Sequence, residues 1–336
     1  MKRILIVATG GTIASLPHDT GLAPGLTGTE LVGRVPQLAE LAELDIVQPM
    51  NIDSTNMRPR DWLQIADTIA AHYEEYDGFV VLHGTDTMAY TAAALSYLLE
   101  DSPKPIVLTG SQQPMAAPFT DAKLNLYQSV LFATDDSARE VTIVFNGKAI
   151  AGTRAHKQRT MSYNAFTSMN YPTLAYIRQN RVIWSGLAKP ASKEGLHLKR
   201  YFALDERVLV LKLTPELRPS IFHLLERDYD AVILETFGIG GIPDYDGGAF
   251  QEAIFSWVAS GRTCVLTTQV PEEGLDLGVY EVGHAFQDRP GILLGGDMTT
   301  EALVAKTMWA LGNRTSTEEI AQLFYQEINH DRTPAA

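Results

Sequence analysis

Short apolar runs alternate with amphipathic segments through the first half of the chain. Four runs have the length of a strand and are rich in β-branched or aromatic residues: 4–7, 79–82, 105–108 and 141–145. Because they are almost continuously apolar, they are typical of central strands that are covered on both faces. Three segments between them follow a helical period: 59–70, 88–99 and 122–132. This alternation predicts right-handed βαβ units and a parallel sheet.

The segment that follows residue 58 shows the helical pattern clearly. Its apolar residues recur on one face, at Trp62, Ile65, Ala66 and Ile69. Pro59 stands where the first helical residue is expected, a position at which its missing N–H is not needed. We therefore expect a helix that begins at Pro59 and buries this face.

The pattern loosens over residues 185–206, which are rich in Gly, Pro, Lys and Ser, and then the alternation restarts. Four runs are expected to be strands: 208–213, 231–234, 264–267 and 292–294. Three segments are expected to be helices: 221–226, 248–259 and 300–311. Since 336 residues exceed the size at which one core usually stops growing, we predict two domains. The predicted division is a larger, doubly wound, flavodoxin- or Rossmann-like α/β domain over 1–190, a linker over 191–206 and a smaller α/β domain over 207–336.

Charge and cysteine content narrow the function. The chain has 27 Lys and Arg against 40 Asp and Glu, so its net charge is 27 − 40 = −13 with neutral histidines. This balance argues against a nucleic-acid partner and against an anionic membrane surface, which both need clustered basic residues. The single cysteine, Cys264, lies in an apolar run and is expected to be a buried core residue. The apolar run at the N-terminus is too short for a signal peptide, and no segment reaches transmembrane length, so we expect a cytoplasmic protein.

Two glycine-containing turns follow predicted strands and carry hydroxyl groups. The first turn, residues 9–14, reads Thr-Gly-Gly-Thr-Ile-Ala, and the second turn, residues 83–88, reads His-Gly-Thr-Asp-Thr-Met. In an open parallel sheet, ligands bind beyond the carboxyl ends of the strands near the switch point, so both turns could face one crevice. Gly11 and Gly84 would let the backbone approach a ligand closely, and Thr12, Thr85 and Asp86 would present their side chains to it.

Each turn also has a purely structural interpretation. The first turn lacks the spacing of a dinucleotide-binding or P-loop motif and could be an ordinary connection between a strand and a helix. In the second turn, Thr85 or Asp86 could cap the following helix, which would not exclude catalysis. His83 has no second ligand at a metal-binding spacing, so a structural histidine is favoured.

Two further polar segments could belong to the same site. Lys157 would act as a base if burial lowered its pKa, with Asp86 fixing its position; from the residues alone, a solvated loop charge is favoured. Asp53, Ser54 and Thr55 lie in a polar segment that could hold a small zwitterion or could be a loop of turn-forming residues.

Taken together, these motifs resemble the bacterial-type L-asparaginase family, most closely its cytoplasmic (type I) branch. The two turns look like the family's two signature motifs, in the expected order and spacing. The matching segments are 53–55, 109–112 and 154–157, which fall where the family has its substrate loop, leaving-group loop and catalytic lysine, and 280–283 and 297–301, which resemble its C-terminal domain. The resemblance spans essentially the whole chain.

The resemblance implies hydrolysis of L-asparagine to L-aspartate and ammonia, with some glutaminase activity. It makes Thr12 the nucleophile of a covalent acyl-threonine intermediate and makes Thr85, Asp86 and Lys157 a second catalytic triad. The implied substrate-binding residues are Gly11, Asp53, Ser54, Thr55, Gly84, Thr85, Asp86 and Ser111. No metal or organic cofactor is implied.

The chain departs from the family at two places. Many relatives carry a tyrosine in the mobile loop after the first signature, thought to help activate the nucleophile, whereas Leu22 occupies that place here. Another group, water or the relay through Lys157 must then take the proton. Allosterically regulated relatives use a threonine, an arginine and a cysteine where this chain has His156, Glu235 and Val270, which argues against that effector site.

Two alternatives and one assembly state complete the expectations. The amidase subunit of a tRNA-dependent amidotransferase resembles the same family but carries an extra N-terminal domain, whereas the first strand here begins at Ile4. A non-enzymatic amino-acid-binding protein would use both turns only to hold its ligand, but such receptors are usually exported. We also expect a homodimer or homotetramer, because relatives complete their sites with acidic residues from a neighbouring subunit; Glu272, Glu273 and Asp276 are the candidates.

Overall fold

The computed structural model describes residues 1–18, 21–188, 192–279, 285–287 and 289–333. The chain divides into two compact units, each with its own sheet. The N-terminal unit comprises Met1–Phe202 and Ile328–His330, and the C-terminal unit comprises Ala203–Glu327 and Asp331–Ala336. Within the described ranges, every helix is too short or too polar to cross a membrane.

The N-terminal unit is built from an eight-stranded sheet, short accessory strands and four described α-helices. Its strands are β1 (Arg3–Ala8), β2 (Ser15–His18), β3 (Gly21–Pro24), β4 (Glu43–Val47), β5 (Gly78–Leu82), β6 (Leu99–Glu100), β7 (Pro105–Thr109), β8 (Glu140–Phe145), β9 (Lys148–Ala151), β10 (Ala155–Lys157), β11 (Phe166–Ser168), β12 (Ala175–Arg178), β13 (Arg181–Trp184) and β14 (Lys199–Arg200). Its helices are α1 (Gly28–Gly33), α2 (Pro59–Ala71), α3 (Met88–Leu98) and α4 (Ala122–Ala133), with 3₁₀ helices over Thr12–Ala14, Pro36–Glu40 and Ser54–Asn56.

Five strands of the main sheet are parallel, in the spatial order β4-β1-β5-β7-β8. Counted along the chain, this is the 2-1-3-4-5 order of a doubly wound fold, whose switch point lies between β1 and β5. The four apolar runs predicted in this half of the chain form β1, β5, β7 and β8, so the predicted parallel α/β sheet is confirmed. The first and second turns follow the two strands that border the switch point.

The sheet does not remain parallel beyond β8. Strands β9, β12 and β13 extend it through antiparallel pairing, which the expectation of a parallel sheet did not include. In β12 and β13, exposed residues alternate with more buried ones, as in strands with one face in water. Such short alternating segments contain no continuous apolar run, and for this reason the sequence pattern did not reveal them.

The helices of the N-terminal unit differ in how they are buried. In α2, Trp62, Ile65, Ala66 and Ile69 are buried and Pro59 is the first residue, so the predicted face and start are confirmed. In α3, by contrast, every residue except Tyr90 is buried, so the expected amphipathic pattern was wrong for this helix. The reason is tertiary: α3 packs against α2, β6, β7, β8 and β10.

The C-terminal unit contains a four-stranded parallel sheet with helices packed against it. Its strands, in spatial order, are β15 (Val208–Lys212), β16 (Ala231–Thr236), β17 (Thr263–Thr268) and β18 (Ile292–Leu294). Its helices are α5 (Ile221–Leu225), α6 (Tyr245–Ala259), α7 (Thr300–Asn313) and α8 (Thr317–Tyr325). All the strands and helices predicted in this half are present, which confirms a separate α/β unit. Cys264 lies fully buried in β17, where burial raises its pKa to about 12, so its thiol is an inert core group.

Candidate active site

The first and second turns lie against each other at the carboxyl end of the sheet. Gly11 has a φ of +81°, and a Cβ atom built on it would lie 2.3 Å from the Cα of Gly84. The backbone N–H of Gly11 donates to the carbonyl of Ile52 at 3.0 Å, which joins the loop after β4 to the same place. Since Thr12 and Thr85 are the next residues after Gly11 and Gly84, this contact brings the two threonine-bearing segments together.

This contact predicts that alanine is not tolerated at position 11. In a Gly11→Ala variant, the positive φ costs about 1–3 kcal/mol, and the new methyl group must also displace the backbone of Gly84. We expect the free energy of unfolding in urea to fall by at least about 2 kcal/mol and turnover to be lost with it. Gly33→Ala is the matched control, because a Cβ there meets nothing within 4 Å. Wild-type stability and turnover in Gly11→Ala would contradict the contact between the turns.

Thr12 is placed by buried neighbours while remaining accessible itself. It begins the 3₁₀ helix Thr12–Ala14, in which Ile13 and Ala14 are buried and Thr12 is half-buried. The amide of Met115 donates to the carbonyl of Ile13 at 3.3 Å, which adds a further anchor. The backbone of Thr12 is therefore fixed, and its side chain can be reached by a small solute.

Lys157, Thr85 and Asp86 form a hydrogen-bonded group. The Nζ atom of Lys157 donates to Thr85 Oγ1 at 2.8 Å and to Asp86 Oδ1 at 2.5 Å. Thr85 is buried, whereas the side chain of Asp86 is 55% exposed and that of Lys157 is 17% exposed. Such a half-exposed ion pair contributes little to stability, so its effect is to orient the amine. The interpretation of Lys157 as a solvated loop charge is wrong, because its side chain is largely covered and engaged.

Gln112 completes the surroundings of Thr85, and the sequence patterns did not single it out as a functional side chain. The hydroxyl of Thr85 donates to Gln112 Oε1 at 3.2 Å, and Gln112 Nε2 donates to the carbonyls of Thr160 and Ser162 at 3.0 and 3.2 Å. The hydroxyl of Thr85 is thereby directed toward Gln112, and its lone pairs face Lys157. The amide of the glutamine fixes which way the proton of Thr85 points.

Asp121 and Asn125 hold the loop that carries Ser111 and Gln112. The carboxylate of Asp121 accepts from the backbone N–H of Gln112 and of Gln113, and Asn125 Nδ2 donates to the carbonyl of Gly110 at 3.0 Å. Sequence reasoning missed both residues. The only available signal was that Asp121 precedes α4, which is also the pattern of an ordinary helix cap. Its side chain makes no cap hydrogen bond and is used for the loop instead.

The segment expected to hold the substrate lies next to the two turns. Asp53 accepts from the backbone N–H and the hydroxyl of Thr55, both at 2.9 Å, and so caps the short helix Ser54–Asn56. Ser54 is buried, and its Oγ would lie 2.5 Å from a Cβ on Gly84. The hydroxyl of Thr87 donates to the carbonyl of Ser54 at 2.8 Å. The polar segment is thus packed onto the second turn, with Asp53 and Thr55 engaged with each other.

His83 is a structural residue of the second turn. Its Nδ1 lies 2.7 Å from the carbonyl of Gly84 and its Nε2 lies 2.9 Å from the hydroxyl of Thr91. Because a carbonyl can only accept, Nδ1 carries the proton and Nε2 accepts from Thr91. Complete burial lowers the pKa of His83 to about 4, so the ring is neutral near pH 7. Both ring nitrogens are occupied, which agrees with a structural role.

The lowered pKa of His83 predicts a pH dependence of stability. Between pH 6.5 and about 4 the unfolded chain binds a proton that the folded ring does not, so the free energy of unfolding decreases as the pH falls. The contribution of this residue amounts to about 3 kcal/mol over the window. Urea denaturation of the wild type and of His83→Asn should show the stability difference between them shrinking by that amount from pH 7 to pH 4. A difference independent of pH would contradict a neutral, buried His83.

The remaining predicted residues are placed as follows. Ser111 is fully buried, and its hydroxyl donates to the carbonyl of Gln113 at 2.6 Å. After the first turn, where a loop was expected, β2 and β3 form a hairpin in which Leu22 is paired with Pro17. Residues 280–283 lie outside the described residues. In the described part of the chain, no group of three or more His, Cys, Asp or Glu residues is arranged to hold a metal ion.

Comparison with known proteins gives full-length matches. Residues 3–188 match the family model described as asparaginase, N-terminal, and residues 207–324 match the glutaminase/asparaginase C-terminal domain. The L-asparaginase of Thermococcus kodakarensis is 37% identical over 97% of this chain and 98% of its own length. A solved structure of the thermostable L-asparaginase from that organism covers 99% of this chain and 100% of its own, with a TM-score of 0.90 and 35% identity.

Two further relatives bear on the choice of function. L-asparaginase 1 of Escherichia coli K12 is 32% identical over 99% of this chain and 98% of its own length. A glutamyl-tRNA(Gln) amidotransferase polypeptide of Metallosphaera sedula is 33% identical over 99% of this chain, but the match covers 77% of that polypeptide. The chain is therefore similar along its whole length to both kinds of protein, and it accounts more completely for the asparaginases.

Proposed function

The chain belongs to the asparaginase family, and from that premise we propose that it is an L-asparaginase in which Thr12 is the nucleophile. The observation that carries the proposal is the hydrogen-bonded group of Lys157, Thr85 and Asp86 beside the turn that bears Thr12. An accessible hydroxyl next to an oriented amine and carboxylate is the arrangement that covalent amide hydrolysis requires. The enzyme is an amidohydrolase that acts on a C–N amide bond.

The proposed reaction proceeds in two steps. The hydroxyl oxygen of Thr12 attacks the side-chain carbonyl carbon of asparagine, the C–N bond breaks, and the protonated nitrogen leaves as ammonia. Water then adds to the β-aspartyl ester, and aspartate leaves as the hydroxyl of Thr12 is restored. Splitting the hydrolysis in this way replaces one difficult step by two easier ones.

We assign proton transfer to the pair formed by Thr85 and Lys157. Leucine has no group that exchanges a proton, so Leu22 cannot serve as the tyrosine of many relatives does. In the proposal, Lys157 in its neutral form takes a proton relayed through Thr85, and Asp86 stabilises the ammonium that forms. Asp86 also faces the α-ammonium group of the substrate, while Ser54 with nearby backbone groups holds the α-carboxylate and the carbonyl of Ser111 contacts the leaving amide. Gly11, Asp53, Thr55 and Gly84 shape this pocket.

Ammonia release from L-asparagine tests the proposal. The purified protein should release ammonia from L-asparagine, and release from L-glutamine under the same conditions should be slower, because one extra methylene must fit the same pocket. Binding of asparagine by calorimetry without ammonia release would indicate an amino-acid-binding protein instead. Ammonia released from glutamine only when charged tRNA and a partner subunit are added would favour the amidotransferase.

We further propose that the active protein is a cytoplasmic homodimer or homotetramer. Phe119 and Met161 are 87% and 83% exposed, and they lie beside the loop segments that Gln112 joins. Large apolar side chains of this kind at the rim of a site favour contact with a second copy of the chain. The acidic residues Glu272, Glu273 and Asp276 are at least partly exposed and remain the candidates for a contribution to the neighbouring site. A fully active monomer in analytical ultracentrifugation would exclude this assembly.

The division of the chain belongs to the same proposal. Residues 1–190 are assigned as the catalytic domain and residues 207–336 as the C-terminal domain, joined by residues 191–206. All of the assigned catalytic side chains lie in the first of these segments.

A further inference from the structure

A short segment near the end of the chain is inserted into the N-terminal unit. Within Ile328–His330, Asn329 is 8% exposed. Its Nδ2 donates to Ser96 Oγ at 2.9 Å and to the carbonyl of Val141 at 2.8 Å. Its own carbonyl accepts from the hydroxyl of Thr153 at 2.6 Å. One asparagine thus joins the helix α3, the strand β8 and the turn that precedes β10.

The next residue extends the same connection. The carbonyl of His330 accepts from Arg154 Nε at 2.5 Å, and the ring of His330 stacks on Tyr171 with 4.6 Å between the ring centroids. The guanidinium of Arg154 lies 5.7 Å from the centroid of the same tyrosine ring. Arg154 is fully buried, and a buried arginine must be held by such partners because its charge has lost its water. The position of the turn at Thr153 and Arg154 is therefore determined by the inserted segment.

The two elements that Asn329 joins both lead to the catalytic group. Strand β10 starts immediately after Arg154 and ends at Lys157, about 10 Å farther along the chain. Helix α3 starts at Met88, two residues after Asp86, and carries Ser96. A Cβ on Gly152 would lie 2.9 Å from Ser96 Oγ, so the turn and the helix approach each other closely at the point that Asn329 bridges.

We infer that Asn329 is a positioning residue for the reaction: by joining α3 to the turn before β10, it sets the position of Lys157 relative to Thr85 and Asp86. This inference rests on the proposed function, because it assumes that the Lys157 amine takes part in turnover. Proton transfer depends on the distance between donor and acceptor, and a displacement of about 1 Å can lower a rate by about 100-fold. Loss of the bridge should therefore lower kcat more than it changes KM.

The backbone allows a specific substitution at this position. Asn329 has a φ of +46°, in the left-handed region that glycine adopts without cost. Asn329→Gly removes the side-chain hydrogen bonds to Ser96 and Val141 while leaving the backbone conformation accessible. Gln179→Gly is the matched control, because Gln179 has a φ of +55° in the turn between β12 and β13 and belongs to none of the elements that lead to the site. Thr153→Val is a second test variant that removes only the hydroxyl bonded to the Asn329 carbonyl.

Steady-state hydrolysis of L-asparagine tests the inference. In Asn329→Gly and Thr153→Val, kcat should fall about 10- to 100-fold with KM within about threefold of wild type, and Gln179→Gly should match wild type. In a Lys157→Met background, Asn329→Gly should cause no further loss, because the group that it positions is gone. Urea denaturation verifies that each variant is folded, and if Asn329→Gly does not fold, Thr153→Val decides the question.

Two results would overturn the inference while leaving the proposed function in place. One is unchanged kcat in the folded variants; the other is an equal fractional loss with and without Lys157, which would indicate a structural effect on the whole unit. Near-normal turnover in Lys157→Met alone would overturn the proposed relay itself, and the inference would fall with it. The single-variant and double-variant rates therefore separate the two failures.

Discussion

Replacing Thr12 with alanine should lower ammonia release from L-asparagine by about 10⁴-fold or more while the protein still binds asparagine. Removal of a nucleophile abolishes the covalent pathway, and what remains is the effect of binding and of positioned donors. Thr12 is half-buried at the start of a 3₁₀ helix whose other residues are buried, so loss of its hydroxyl and methyl groups should leave the fold intact. Steady-state assays combined with calorimetric titration of asparagine measure both quantities.

Thr12→Ser is the matched control for this experiment. Serine keeps the hydroxyl and loses only a methyl group, so it should retain turnover well above that of Thr12→Ala. A second line of evidence is mass spectrometry of the acid-quenched enzyme, which should show an added β-aspartyl group in wild type and none in Thr12→Ala. Substantial turnover by Thr12→Ala would mean that another group attacks the amide, and Thr85 would be the first to test.

Replacing Lys157 with methionine should lower kcat by about 10²- to 10⁴-fold, the usual range for a positioned acid–base group. Methionine has similar length and no charge, so the change removes the amine that lies 2.8 Å from Thr85 Oγ1. The effect on stability should be small, because Asp86 is more than half exposed and can be hydrated after its partner is lost. Rates from single-turnover and steady-state assays give the change in kcat.

Two further variants separate proton transfer from charge. Lys157→Arg keeps a cation near Thr85 and Asp86 but does not deprotonate, so it should be nearly as slow as Lys157→Met. Lys2→Met removes a lysine that pairs with Asp136 at 2.7 Å on the surface, and it should be fully active. An active Lys157→Arg would reduce the role of Lys157 to electrostatics, and near-normal turnover by Lys157→Met would exclude the relay.

The proposed site differs from that of many relatives in how the nucleophile is activated. With leucine at position 22, the proton of Thr12 has to reach another acceptor, and the group formed by Thr85, Lys157 and Gln112 supplies oriented partners. Gln112 matters because it fixes the direction of the Thr85 hydroxyl, which in turn leaves the lone pairs of Thr85 available to Lys157. The loop that carries Gln112 is itself held by Asp121 and Asn125.

Local patterns were sufficient to predict most of the elements of this protein. The runs that became β1, β5, β7 and β8 are continuously apolar because both faces of a central strand are buried, and that requirement is visible residue by residue. The start of α2 at Pro59 and its buried face are also local properties. The two glycine-containing turns could be recognised because a close backbone approach and a positive φ restrict the residue at Gly11.

Only the tertiary structure decided which side chains meet. Lys157 lies 72 residues from Thr85 along the chain and had no local signal that separated it from a solvated loop lysine. Asp121 had the pattern of a helix cap and is instead used to hold a loop, and α3 lost its expected polar face because it is packed on several sides. The physical reason is that sequence periodicity reports how each segment is buried, whereas contacts between distant segments depend on how the strands are ordered and how closely the loops after them pack.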